Sequence, residues 1–457
     1  MSATFNRWWV VVGALVIQVS LGAVYIWSVF QTPLKGAFPG WTEAQVTLPA
    51  QIVLASFALA VIFGGRIQDK LGPRRVATAG GLILGVGLML ASLTGRFSES
   101  AALYWLLLTF AVLGGAGIGA GYVCPIATCV KWFPDKRGFI TGLAVAGFGA
   151  GAFFFAPLAR GLISGTPYNL LGADLFPLPQ LGVFRTFFAL GAIFLVAVVA
   201  GAQLLRNPPP GYAPAGWTPP AASSSGGAPK ADFGPREMLA TPMFWLLWIT
   251  YLAGCAAGLM VIMKASPIWQ SFRIGGMTPP VSAEDFKRIA TQGAMAVSIL
   301  AIFNSLGRIL WGKISDSIGR KPALAAMFFL CGAAMLGLDW MRSYGLYLLG
   351  VCLIGLCFGG FLAMYPAVTA DFFGTRHIGV NYGWLFSAYG VGGLLGPWLA
   401  ARLMTTAAKV PYLADAAGTT KEFAVGSYRG AFLAAGVACL VAGALALALR
   451  KPAPRTH

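Results

Sequence analysis

The sequence is short of charge. Only 10% of its 457 residues are Asp, Glu, Lys or Arg, while 58% are hydrophobic. A water-soluble domain carries about 25% charged residues, so this chain cannot cover a water-facing surface of ordinary size. Acid is scarcer than base, with 14 Asp and Glu against 32 Lys and Arg, and there are 2 His. None of the few acids or histidines falls in the interior of a long apolar run, Asp339 and Asp371 standing at run ends and His377 in a loop. That excludes a carboxylate or imidazole proton relay deep in a membrane, and an intramembrane hydrolase with it. The seven cysteines (124, 129, 255, 331, 352, 357 and 439) all lie in apolar stretches without metal-ligand spacing. They read as small buried hydrophobes, and no metal or cofactor is expected. Gly147, Gly149 and Gly151 follow no strand, so they are helix-packing positions and not a nucleotide loop. The chain is not expected to be an enzyme, and its net charge of +18 does not point to nucleic acid.

What the chain has in abundance is apolar length. A bilayer crossing needs about 20 apolar residues, and twelve such runs are found. They are residues 8–30, 45–65, 76–95, 101–129, 137–163, 183–205, 243–268, 291–311, 322–340, 344–368, 378–405 and 428–449. The first is too long for the core of a cleavable signal. Between the sixth and seventh lies a Pro-, Gly-, Ala- and Ser-rich stretch that reads as a flexible linker. The domain division is therefore a six-helix half over 1–206, a linker over 207–242 and a second six-helix half over 243–457. Excess Lys and Arg in loops on the side of both termini places those termini in the cytoplasm of a cell-membrane protein of the bacterial inner-membrane type.

The halves repeat one another. GGRIQDKLGPRR (64–75) matches WGKISDSIGRKP (311–322), pairing Gly65, Asp69 and Gly72 with Gly312, Asp316 and Gly319. GAGYVCPIAT (119–128) matches GGFLAMYPAVT (359–369), pairing Pro125 with Pro366 and Thr128 with Thr369. Six spans repeated with matching loops predict two parallel, pseudo-twofold six-helix bundles in an all-α membrane protein. The loop glycines allow tight turns. Each loop Asp is expected to pair with a nearby base or a helix N-terminus, forming a conformational latch away from the substrate.

One charge sits where the bilayer is deepest. Arg308 lies in GAMAVSILAIFNSLGRILWG (293–312), eight residues before Asp316. At ~1.5 Å per residue that is ~12 Å from the end of the span, close to the middle of a ~30 Å hydrocarbon layer. A cation there costs at least ~2.5 kcal/mol on insertion scales and marks a functional site. Asn304 is one turn away on the same face. Guanidinium and amide together suit one carboxylate. Lys264 is placed near the outer end of its span, where it can snorkel to water.

The paired G-x-x-x-D-x-x-G loops resemble the signature of the major facilitator superfamily. Within it, NRWW (6–9), GAVYIWSVFQTPL (22–34), KWFPDKRG (131–138), EMLATPMFWLLW (237–248) and NYGWLF (381–386) resemble the oxalate/formate antiporter family and its monocarboxylate-transporting relatives. The resemblance implies a carrier alternating access around a midplane site. It implies that Arg308 is the first of the two cations with which the family's oxalate exchangers grip a dicarboxylate. The second cation's position falls on neutral Tyr389. The resemblance places Tyr25, Tyr122, Phe148, Phe358, Leu362 and Phe386 in the cavity, with Phe148 and Leu362 standing where the exchangers have tyrosine. One cation and a greasier pocket suit a small monocarboxylate such as lactate, pyruvate or acetate, moved by a monomer with a proton. Oxalate/formate-type anion exchange is the alternative, and a non-transporting carboxylate sensor a more distant one.

Overall fold

The computed structural model describes residues 6–170, 173–214, 232–403, 405–413 and 420–452. Among them the chain runs through twelve helical rods. The first comprises Trp8–Leu21, a 3-10 turn Gly22–Ile26, and Trp27–Ala37. The second to sixth are Glu43–Leu71, Pro73–Ala91, Glu99–Trp132, Arg137–Ser164 and Gly182–Gln203. The seventh to twelfth are Pro242–Ile274, Ala283–Ile318, Arg320–Gly337, Tyr344–Phe373, Ile378–Leu403 and Arg429–Leu447. Eleven of the twelve carry a segment long and apolar enough to cross a membrane. This is an all-α membrane fold. Several rods exceed the apolar runs that announced them, because a helix continues past the hydrocarbon until a cap stops it.

The caps are legible. Thr42 and Gln45 form a reciprocal capping box ahead of the second helix, and the Ser282 hydroxyl accepts from the Asp285 amide at the start of the eighth. The repeated loop glycines end helices with positive φ, +86° at Gly72 and +92° at Gly319, which an L side chain resists. The inner repeat is equally physical. Pro125 and Pro366 lie inside the fourth and tenth helices. In each case the paired threonine returns a hydrogen bond to the carbonyl four residues back. Thr128 Oγ1 reaches Cys124 O at 2.6 Å, and Thr369 Oγ1 reaches Tyr365 O at 2.7 Å.

Two antiparallel hairpins, Tyr168–Leu170 with Ala173–Phe176 and Thr405–Leu413 with Thr420–Ser427, occupy connections between helices. The all-α reading did not anticipate them. A two-stranded hairpin leaves open edges that a bilayer does not tolerate, and the longer pair bonds back to the seventh–eighth connection. There Val281 N donates to Pro411 O at 3.0 Å and Leu413 N donates to Val281 O at 3.0 Å.

By packing, the chain forms two compact units. One takes the described residues of 1–244 and of 451–457 with Tyr365–Gly390, and the other takes the described residues of Trp245–Met364 and Val391–Arg450. The sequence repeat and the packing units are thus different divisions. Tyr365–Gly390 belongs to the second repeat but packs in the first unit. The end of the linker helps to hold it there. Asp232 Oδ1 accepts from the Thr375 and Arg376 amides at 2.9 and 3.0 Å. Phe233 N donates to Phe373 O, and Asn381 Nδ2 donates to Phe233 O, each at 2.9 Å. Asp232→Ala orphans two amides and is expected to cost about 1 kcal/mol, as the loss of a helix cap does. Thermal unfolding should show a midpoint lower by a few degrees, while Asp232→Asn, which keeps an acceptor oxygen, stays near wild type.

Candidate functional site

The eighth helix places Arg308 ten residues before its end at Ile318, ~15 Å along the axis. The side chain is 0% exposed. Arg308 Nε donates to Asn304 Oδ1 at 3.3 Å, so the pair expected from helical spacing meets. Two glycines bring the tenth helix hard against this turn. A Cβ on Gly359 would collide with the Asn304 carbonyl oxygen, and a Cβ on Gly307 would collide with the Leu356 carbonyl oxygen. The contact is therefore backbone on backbone. Phe358 and Leu362, one turn apart on the tenth helix, are both buried, and the Phe358 ring lies over Gly258 of the seventh.

Gly359→Ala is expected to wedge these helices apart and displace Asn304. Overpacking of this kind costs about 1–3 kcal/mol. The variant should unfold at a lower temperature than Gly345→Ala, a control on the same helix where an added Cβ meets nothing within 4 Å.

The remaining assigned residues come together in the other unit. Tyr25 and Tyr389 share a hydrogen bond between their hydroxyls at 2.8 Å. Tyr25 meets Phe148 edge-on at 5.4 Å between ring centroids, Tyr122 meets Phe148 and Phe386 at 5.1 Å each, and Phe386 stacks on Tyr389 at 4.8 Å. Counted along their own helices, Tyr122, Phe148 and Tyr389 stand ~15–16 Å from Trp132, Arg137 and Ile378. That is about half of a ~30 Å hydrocarbon layer. All but half-buried Tyr25 are nearly inaccessible to solvent.

Sequence reasoning missed one member. Phe57, from the second helix, lies within ring contact of Tyr122, Phe148, Phe386 and Tyr389. Nothing in the run ASFALAVIF separates it from Phe63, six residues on, which is 65% exposed.

The two repeated loop acids find different partners. Asp69 accepts from the Gly379 amide at 3.2 Å and the Val380 amide at 2.9 Å, at the start of the eleventh helix, with Lys131 Nζ at 4.0 Å. A carboxylate there meets the positive end of the helix dipole. Gly65 lies against the Gly379 carbonyl, with no room for a Cβ. Asp316 instead pairs with Arg320 at 2.8 Å, four residues along, and Ser315 Oγ donates to Gly312 O at 2.8 Å. Asp69 thus meets a helix N-terminus with a lysine beside it, while Asp316 meets a base four residues along.

The segment 131–138 is a knot of charge pairs. Arg7 forks onto Asp135 at 2.8 and 3.1 Å while its guanidinium lies over Phe133, and Arg137 meets Asp371 at 2.6 Å.

Lys264 stays distant from Arg308. Its neighbour Ser266 packs on Gly293, and Gly293 precedes Arg308 by fifteen residues, ~22 Å of helix. Both cannot hold one short dicarboxylate. Among the described residues no group of three or more His, Cys, Asp or Glu is arranged to hold a metal ion.

The major facilitator superfamily profile matches residues 2–275 and 268–457. The chain is 27% identical over 412 residues to the oxalate:formate antiporter of Oxalobacter formigenes, covering 88% of this chain and 85% of that one. It is 28% identical over 397 residues to apicoplast pyruvate carrier 1 of Toxoplasma gondii, covering 77% and 68%. Among solved structures, the superfamily transporter FucP in its outward conformation superposes with a TM-score of 0.63 at 15% identity, covering 97% of this chain and 99% of that one.

Proposed function

The chain belongs to the major facilitator superfamily, and we propose that within this superfamily of membrane transporters it carries a small monocarboxylate, of lactate, pyruvate or acetate size, in symport with a proton. The carrying observation is the buried Arg308, held by Asn304 near the middle of the apolar segment Met295–Ile318. The lone cation is matched to one carboxylate. Guanidinium presents planar N–H donors in the geometry of a carboxylate's two oxygens. A second, uncompensated carboxylate would have to be buried at a cost of several kcal/mol. Tyr389, in place of a second cation, gives a hydroxyl donor shared with Tyr25. The aromatic positions would enclose the short alkyl part of the acid, excluding water and setting its size. The relatives that carry pyruvate, oxalate or formate by name are consistent with this class of cargo.

Proton symport is the coupling we favour because the exchangers' second cation is missing. With no acid or imidazole in the apolar interior of the spans, the proton would travel with the substrate as its acid, or through Tyr389 and water. Asp69, with Gly65 and Gly72, would act as the cytoplasmic latch, and Gly312, Asp316 and Gly319 as its counterpart in the second repeat. Both termini would lie in the cytoplasm.

The test is uptake of labelled lactate, pyruvate, acetate and oxalate into proteoliposomes with an imposed pH gradient, acid outside. Accumulation of a monocarboxylate that collapses with a protonophore is the expected result. Accumulation that requires an internal counter-anion and ignores the gradient would establish exchange instead. Binding without accumulation would establish a sensor.

A further inference from the structure

We infer that Phe57 is the positioning residue that sets how long an acid the site accepts; the inference rests on the monocarboxylate reading above. Its ring centroid lies 5.1 Å from Tyr122, 5.7 Å from Phe148, 5.3 Å from Phe386 and 6.4 Å from Tyr389. It thus touches four of the five assigned aromatic rings that meet in the first unit, and it is 0% exposed.

The backbone beneath this ring cannot retreat. On one side the fourth helix presses glycines onto it. A Cβ at Gly115 would lie 3.1 Å from Phe57 N, and one at Gly119 would lie 2.5 Å from its carbonyl oxygen. On the other side a Cβ at Gly390 of the eleventh helix would lie 2.5 Å from Ala58 Cβ. These are contacts at which any added atom forces a shift. The residue is clamped between two helices that themselves carry Tyr122, Phe386 and Tyr389.

A ring on a clamped backbone answers a longer ligand only by clashing with it or by pushing its neighbours off their contacts. Phe57 need not touch the acid. It fixes where the four surrounding rings stand, and so the depth of the apolar end of the pocket. An alkyl chain one or two methylenes too long then meets a stop that does not yield, which is the condition for size selection by an apolar pocket.

The test is uptake of the straight-chain acids from acetate to hexanoate into proteoliposomes by the wild type, Phe57→Leu and Phe57→Ala, reading KM and maximal rate for each acid. The expected result is a hexanoate-to-acetate KM ratio about tenfold lower in Phe57→Ala and an intermediate ratio in Phe57→Leu. A parallel rise in KM for every acid would assign Phe57 a merely structural role and overturn the inference. An unchanged ratio in a wild type and variants that do transport would also overturn it, leaving the monocarboxylate reading intact. A wild type that takes up none of these acids would refute both. Should Phe57→Ala fail to fold, Phe57→Leu alone decides, since it keeps apolar volume and removes the ring.

Discussion

Arg308→Lys should abolish most transport while leaving the protein folded. Lysine keeps the positive charge, so the electrostatics that draw in an anion persist. It loses the planar fork and the Nε–H that binds Asn304 Oδ1. A compact ammonium cannot hold two carboxylate oxygens and the amide in the same geometry. Losing one charge-assisted hydrogen bond costs about 1.5–3 kcal/mol, roughly ten- to a hundredfold in affinity, and positioning loss adds to it. Initial uptake of lactate or pyruvate at subsaturating concentration, measured beside a thermal melt of the purified variant, decides the matter. A normal melt with uptake down by about a hundredfold is expected. Near-normal uptake would remove Arg308 from the site.

Tyr389→Lys should move recognition toward oxalate. The substitution puts a second cation at mid-depth on the eleventh helix, replacing a hydroxyl bonded to Tyr25. A buried ammonium without a counter-charge is costly and tends to shed its proton. A dicarboxylate supplies that counter-charge, so oxalate should stabilise the variant more than acetate does. Ligands that bind only the folded state raise its apparent stability by mass action, and a thermal-shift comparison reads this directly. The expected result is a stabilisation by millimolar oxalate that wild type lacks. Tyr389→Phe is the control, since it loses the Tyr25 hydrogen bond without gaining charge. If oxalate stabilises both variants equally, or neither, Tyr389 does not occupy the second cation's place.

Much of this architecture could be read before any coordinates. Charge scarcity and run length gave the spans, because a bilayer imposes both. The repeat was legible because its carriers are residues with few substitutes, namely Gly72 and Gly319 at positive φ and Pro125 and Pro366 inside helices. The Arg308–Asn304 pair followed from helical spacing alone. Three features were not legible, each for a physical reason. Phe57 carries no signal, since an apolar ring on a membrane helix reads the same whether it faces lipid or other rings. The hairpin at 405–427 sits between apolar spans, where its alternation is too brief to stand out. Asp232 bonds residues more than 140 positions away, and a single acid at the end of a Pro- and Ser-rich stretch has no local pattern to announce it.

The joint between the second and eleventh helices bears on how such a carrier moves. Gly65 meets the Gly379 carbonyl, Gly383 meets the backbone of Val61 and Ile62, and Gly390 meets Ala58. At Gly65 and Gly383 the two helices touch main chain on main chain, while Gly390 meets the Ala58 methyl and the Phe57 ring packs on Phe386 and Tyr389 between them. Dispersion between atoms already at contact falls away steeply, and a gap of about 0.5–1 Å forfeits a quarter to a half of the attraction. Flexible side chains would stretch to follow a separating partner, but a bare backbone cannot. The joint is consequently brittle and not elastic. Where main chain meets main chain, much of its hold is lost within about the first ångström of separation, so its motion there resembles a snap-fit more than a hinge.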